Sequence, residues 1–193
     1  RHATGRSATI AFEDAFHGRT LLALSLTSKM KPLKFGFAPY APEIYRMPYA
    51  YCYRCAFGLE YPSCEIRCAY FLKEFFQTHI AAEQVAALIV EPVLGEGGFV
   101  VPPQEYFKIL KKICDDNGIV FIADEIQTGF GRTAKMFAME HYEVAPDITV
   151  MAKSLANGFP LSAVTGKAEL MDHPQVGGLG GTYAGNPVAC RAA

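Results

Sequence analysis

Apolar residues along the chain fall into two kinds of pattern. Short unbroken runs at Ala8–Phe12, Val85–Val90, Ile119–Ala123, Asp147–Met151 and Leu161–Thr165 have the look of strands buried on both faces. Between them the spacing turns helical. Cys68, Phe71, Leu72 and Phe75 fall at i, i+3, i+4 and i+7, which predicts an amphipathic helix over about 64–78. Tyr106, Ile109, Leu110 and Ile113 repeat the spacing, and Asn117-Gly118 supplies the expected stop. Leu21–Leu26 predicts a short helix, 137–142 a looser one, and Asn186-Pro187 the start of another. From Pro32 to Pro62 prolines and aromatics replace periodicity, the mark of a long ordered loop. Strands alternating with helices predict an α/β fold with a mainly parallel sheet.

Composition narrows the function classes. Of 193 residues, 51% are hydrophobic and 12% aromatic, enough for a sizeable core. The 18 Lys+Arg and 19 Asp+Glu leave a net charge of −1 with no long run of either sign, so no nucleic-acid footprint is expected. No apolar stretch reaches the roughly 18 residues of a membrane span. The chain opens at Arg1 and stops as a helix begins after Pro187, so the expectation is a piece of a longer protein.

Several strands run straight into polar residues: Val85–Val90 into Glu91, Ile119–Ala123 into Asp124-Glu125, and Asp147–Met151 towards Lys153. Ligands of open α/β sheets bind outside the carboxyl ends of the strands, so these side chains are expected to share one site. Lys153 is the only Lys or Arg between 136 and 166. A desolvated lysine is a neutral nucleophile able to form a Schiff base, and a buried aspartate can hold a positive heteroaromatic nitrogen. That pair is what pyridoxal phosphate chemistry needs. Taken singly, Lys153 reads as an exposed lysine and Asp124 as a capping residue.

The stretches Phe16-His-Gly-Arg-Thr20, Glu91-Pro-Val-Leu-Gly-Glu-Gly-Gly98, Ala123-Asp-Glu-Ile-Gln-Thr-Gly-Phe-Gly-Arg-Thr133, Ala152-Lys-Ser-Leu-Ala-Asn-Gly-Phe-Pro-Leu161 and Gly181-Thr-Tyr-Ala-Gly-Asn-Pro187 together resemble class III aminotransferases. The resemblance implies the fold-type-I transferase large domain, pyridoxal 5'-phosphate as cofactor, and a small-molecule amino donor and 2-oxo acid as substrates. Lys153 is then the Schiff-base lysine and the proton carrier, and Asp124 the partner of the pyridine nitrogen. Gln127 bonds the phenolic oxygen, Phe16 stacks on the ring, and His17 packs beside it. Thr182 reaches the phosphate of a neighbouring subunit, which implies a homodimer or a dimer of dimers.

On the substrate side, the resemblance gives Arg19 the distal carboxylate of a 4-aminobutyrate-like donor. It makes Glu96 the partner of an arginine beyond residue 193. Glu91 is placed with them, against the plainer reading of a strand-end carboxylate paired with a local donor. Residues 1–193 would be part of the large domain, lacking the Gly-Ser phosphate turn, the N-terminal segment and the small domain, and inactive alone. Ornithine- or acetylornithine-type transfer and amino-acid racemisation use the same lysine and aspartate and stay open.

Cys52, Cys55, Cys64 and Cys68 offer a different class of reading, a metal-binding or interaction module. Reduced thiols packing a loop is the favoured alternative. Cys114 and Cys190 read as core residues, and six cysteines without a secretion signal suit a reducing cytoplasm.

Overall fold

The computed structural model describes residues 1–193. Its strands are β1 (Ala8–Phe12), β2 (Ile44–Met47), β3 (Val85–Val90), β4 (Val120–Asp124), β5 (Ile148–Met151) and β6 (Ala163–Gly166). The helices are α1 (Leu21–Leu26), α2 (Arg67–Thr78), α3 (Tyr106–Asp116), α4 (Ala168–Met171) and α5 (Pro187–Ala192). The strands form one sheet in the order β2-β1-β3-β4-β5-β6. All pairs are parallel except β5 with β6. The expected α/β class is therefore what the chain adopts, as a mixed sheet.

Packing explains why these segments settle as they do. All six residues of β3 are buried, as an unbroken aliphatic run demands. The main core takes Ala8, Ile10 and Phe12 from β1, Leu88 and Val90 from β3, and Phe121 and Ala123 from β4. Alternation puts each set on one pleat face. Helix α2 brings Ala69, Leu72 and Phe75 to this core, and α3 brings Tyr106, Phe107, Leu110 and Ile113. Tyr106 lies edge-on to Tyr49 at 5.6 Å and to Phe107 at 5.1 Å. Fully burying an aliphatic side chain such as Leu110 contributes roughly 1.5–3 kcal/mol.

The structure departs from the sequence reading in three places. The proline-rich loop contains a strand, β2, which pairs with β1 and is too short to show a period between Pro42 and Pro48. Residues 64–66 precede α2, because Glu65 and Ile66 adopt positive φ. The segment between Met151 and Ala163 carries only a 3-10 turn and no crossover helix, and β6 returns antiparallel. The turn at Ala138–Tyr142 is 3-10. No helix is long and apolar enough to cross a membrane.

Leu88 is fully buried at the centre of the sheet. Leu88→Ala should lower unfolding free energy by about 2–5 kcal/mol in chemical denaturation. The exposed-pair variant Lys112→Ala should change it by under about 1 kcal/mol. Equal effects of the two variants would refute this placement of the core.

Candidate active site

The carboxyl ends of neighbouring strands deliver one cleft. The turn after β1 supplies Phe16 and His17, Glu91 follows β3, β4 ends at Asp124, and Lys153 follows β5. Because β1, β3, β4 and β5 are parallel neighbours, their ends meet on the same edge. Phe16, His17, Glu91, Asp124, Gln127 and Lys153 line a compartment of about 130 Å³. Gln127 and Lys153 also line an adjoining compartment of about 430 Å³, with Gly95, Thr128, Arg132, Thr133 and Ser154. The structure thus brings Phe16, His17, Glu91, Asp124, Gln127 and Lys153 together, whereas Glu125, expected at the same edge, lines neither compartment.

Asp124 is only 5% exposed. Its Oδ2 lies 2.7 Å from His17 Nδ1, and its Oδ1 accepts the Ile126 amide at 3.1 Å. An ionised Asp124 requires the proton on Nδ1, which leaves His17 Nε2 buried and without a partner. His17 is itself held by its amide, which donates to Thr27 Oγ1 at 3.0 Å.

Two further carboxylates bind main chain. Glu91 Oε1 accepts the Phe16 amide at 2.7 Å, and Oε2 accepts the Gly95 amide at 2.9 Å. Burial pushes its carboxyl pKa up, against the pull of those two amides. The structure therefore gives Glu91 the local donors that the plainer sequence reading expects. Glu125 has no exposed surface and accepts the Thr128 hydroxyl and the amides of Ala138 (3.1 Å) and Met139 (2.8 Å). It closes the loop that carries Gln127 and Arg132.

Lys153 holds a left-handed backbone, φ 49°, at the start of a 3-10 turn. Beside it, Ser154 Oγ accepts Arg132 Nε at 3.0 Å. The sequence reading expects a desolvated Lys153. Here the residue is exposed, because the cleft is open to solvent on its side. Gly95 is a close-approach position: a Cβ there would lie 1.5 Å from Gln127 Oε1.

The remaining expected residues stand apart. Arg19 is exposed, its guanidinium 5.8 Å from the centre of the Phe16 ring, and it lines neither compartment. Glu96 and Thr182 are exposed and also line neither. Cys52, Cys55, Cys64 and Cys68 surround one small apolar pocket with Tyr49, Phe57 and Ile66. All are free thiols, and no three His, Cys, Asp or Glu side chains are placed to hold a metal ion. Burial pushes the Cys68 thiol up to about 12, with Cys52 and Cys64 adding to the shift. Cys114 is buried as expected, but Cys190 is exposed, since α5 buries only Ala189.

Sequence reasoning gave no role to Gly95, Arg132, Thr133 or Ser154. Their signal was proximity: each lies within a few residues of an assigned group, in stretches already singled out.

An open α/β sheet with lysine, aspartate and an aromatic ring at one carboxyl edge has close counterparts among solved transaminases. An (S)-enantioselective omega-transaminase from Thermomicrobium roseum superimposes with TM-score 0.89 at 36% identity, over 97% of this chain and 42% of that one. An amine transaminase from an uncultivated Pseudomonas species, solved in a pyridoxal-phosphate-bound form, gives 0.89 at 30% identity, over 98% and 44%. The class III aminotransferase family matches residues 1–193, and the chain belongs to that family of pyridoxal-phosphate enzymes. It is 47% identical over 193 residues to a probable 4-aminobutyrate aminotransferase of Bacillus subtilis (strain 168), covering all of this chain and 44% of that protein. A 5-aminovalerate aminotransferase of Pseudomonas putida is likewise 47% identical, over 194 residues, with the same coverage. The chain thus spans less than half the length of these curated relatives.

Gly95→Ala should push Gln127 out of its seat without unfolding the chain, since Gly95 is not in the left-handed region and a side-chain end can move. Displacements of this size cost about 10²-fold in rate. The expected outcome in the full-length protein is that loss of transaminase rate with a melting temperature within about 4 °C of wild type. An unchanged rate would show that the seat is not required.

Proposed function

We propose that this chain carries the catalytic centre of a pyridoxal-phosphate-dependent aminotransferase, moving the amino group of an ω-amino acid to a 2-oxo acid. The donor is 4-aminobutyrate-like and the acceptor of the 2-oxoglutarate type. One observation carries the reading: Phe16, His17, Asp124, Gln127 and Lys153 converge on a single cleft at the sheet edge. The whole-chain identity to 4-aminobutyrate and 5-aminovalerate aminotransferases supports the ω-amino branch. Their greater length supports reading 1–193 as part of the large cofactor-binding domain.

The residues fit a phosphorylated pyridine. Asp124 is a buried carboxylate with one oxygen held by His17 and the other by a backbone amide, poised for a cationic ring nitrogen. The unpartnered His17 Nε2 marks a polar position in the same compartment with nothing in the chain to satisfy it. Phe16 lines that compartment as an apolar wall suited to an aromatic face. When bound, the cofactor supplies an electron sink for a carbanion.

The protein's own groups divide the remaining tasks. Lys153 Nζ anchors the cofactor, then takes and returns the proton at the amine-bearing carbon of the substrate. Its left-handed backbone is a cost of the kind that functional sites retain. Asp124 keeps the ring nitrogen charged, and His17 keeps Asp124 oriented. The Gln127 amide donates to the phenolic oxygen. Glu91 fixes the main chain at both Phe16 and Gly95, setting the ring wall against the Gln127 seat. Arg19 and Glu96 act at the substrate entrance. Thr182, in an exposed segment, donates its hydroxyl to the cofactor phosphate of a second subunit, so the working enzyme is a homodimer or a dimer of dimers.

The test is an absorbance spectrum of the full-length protein with added pyridoxal phosphate. Wild type should show the long-wavelength band of lysine-bound cofactor, and Lys153→Ala should lose it. Transamination should fall in the same variant by about 10²- to 10⁴-fold or more. A band that survives in Lys153→Ala would sink the assignment.

A further inference from the structure

The larger compartment beside Lys153 is lined by two cations, Arg132 and Lys153, by Gln127 and Ser154 and by an apolar wall of Val93 and Phe99, and no carboxylate lines it. We propose that this compartment is a carboxylate-binding subsite in which Arg132 is the recognising group, taking the carboxylate of a small amino or 2-oxo acid. The proposal rests on the aminotransferase reading and deepens it.

Arg132 is held in a way that leaves its binding edge free. Only Nε is engaged, donating to Ser154 Oγ at 3.0 Å, and the two terminal nitrogens have no hydrogen bond or ion pair within the chain. A guanidinium anchored through one nitrogen offers the others to an anion in a planar fork that matches a carboxylate. Its loop is a firm platform. The Gly129 amide donates to the Glu125 carbonyl at 2.9 Å, and the Phe130 amide to the Met136 carbonyl at 2.7 Å. The buried Glu125 carboxylate ties both ends of the same loop.

The lining itself favours an anion, since it sets two cations against no opposing carboxylate. Arg19, the cation expected for substrate, lines neither compartment. At about 430 Å³ the space accepts a small acid. Because Lys153 borders both compartments, an acid held at Arg132 leaves its remaining carbons beside the lysine. The cofactor phosphate is the other anion that could meet Arg132, and the test separates the two.

The experiment titrates full-length, cofactor-loaded enzyme with glutarate, a dicarboxylate with neither amine nor oxo group, by calorimetry. Arg132→Gln should weaken glutarate binding by about tenfold to a hundredfold, and Arg132→Lys should recover part of the loss. Ser154→Ala, which keeps the guanidinium but removes its Nε anchor, should weaken it by several-fold and serves if the Arg132 variants fail to fold. Cofactor affinity, by equilibrium dialysis, should be unchanged in all of them. Glutarate affinity indifferent to residues 132 and 154 would overturn the proposal. So would a matching loss of cofactor affinity, which would assign Arg132 to the phosphate. Glutarate binding through Arg132 beside a lysine-independent spectrum would sink the aminotransferase reading and leave this one standing.

Discussion

The contact between Asp124 and His17 is the constraint on which the site depends. A carboxylate held away from water costs several kcal/mol unless its lone pairs are met. At the end of β4 they are met by an imidazole from the turn after β1 and by the Ile126 amide. The contact joins residues 107 apart in sequence. It can form only because β3 lies between β1 and β4 as their parallel neighbour, which brings both strand ends to one edge. The aliphatic burial that stabilises β3 is in this sense what places the Asp124 carboxylate.

The same economy recurs in the loops around it. Glu91 and Glu125 are buried acids without a cation, each accepting from backbone amides or a hydroxyl of the segment it organises. Glu91 ties the Phe16 turn to the Gly95 turn, and Glu125 closes the loop bearing Gln127 and Arg132. Charge at this edge therefore serves order as much as chemistry. Lys153 and Arg132 remain on the open side, where a ligand can reach them.

Much of this was legible in the sequence for a physical reason. Parallel strands buried on both faces read as unbroken apolar runs, so β1, β3 and β4 and the polar groups after them were visible. Helix α3 was equally plain, since its apolar spacing and its Asn117-Gly118 stop agree. What stayed hidden depended on partners distant in sequence. Strand β2 is defined by its ladder with β1, and β6 by its antiparallel pairing with β5. The engagement of both Glu91 oxygens, the crowding of Gln127 against Gly95 and the free edge of Arg132 are pairings that no local pattern encodes. The exposure of Lys153 and Cys190 likewise comes from what the described residues leave uncovered.

The proposed pairing of Asp124, held by His17, with a bound ring nitrogen is tested most directly by nitrogen-15 magnetic resonance of ring-labelled pyridoxal phosphate in the full-length protein, compared with Asp124→Asn. Wild type should show a protonated ring nitrogen and the variant a neutral one. The same chemical shift in both would contradict the pairing.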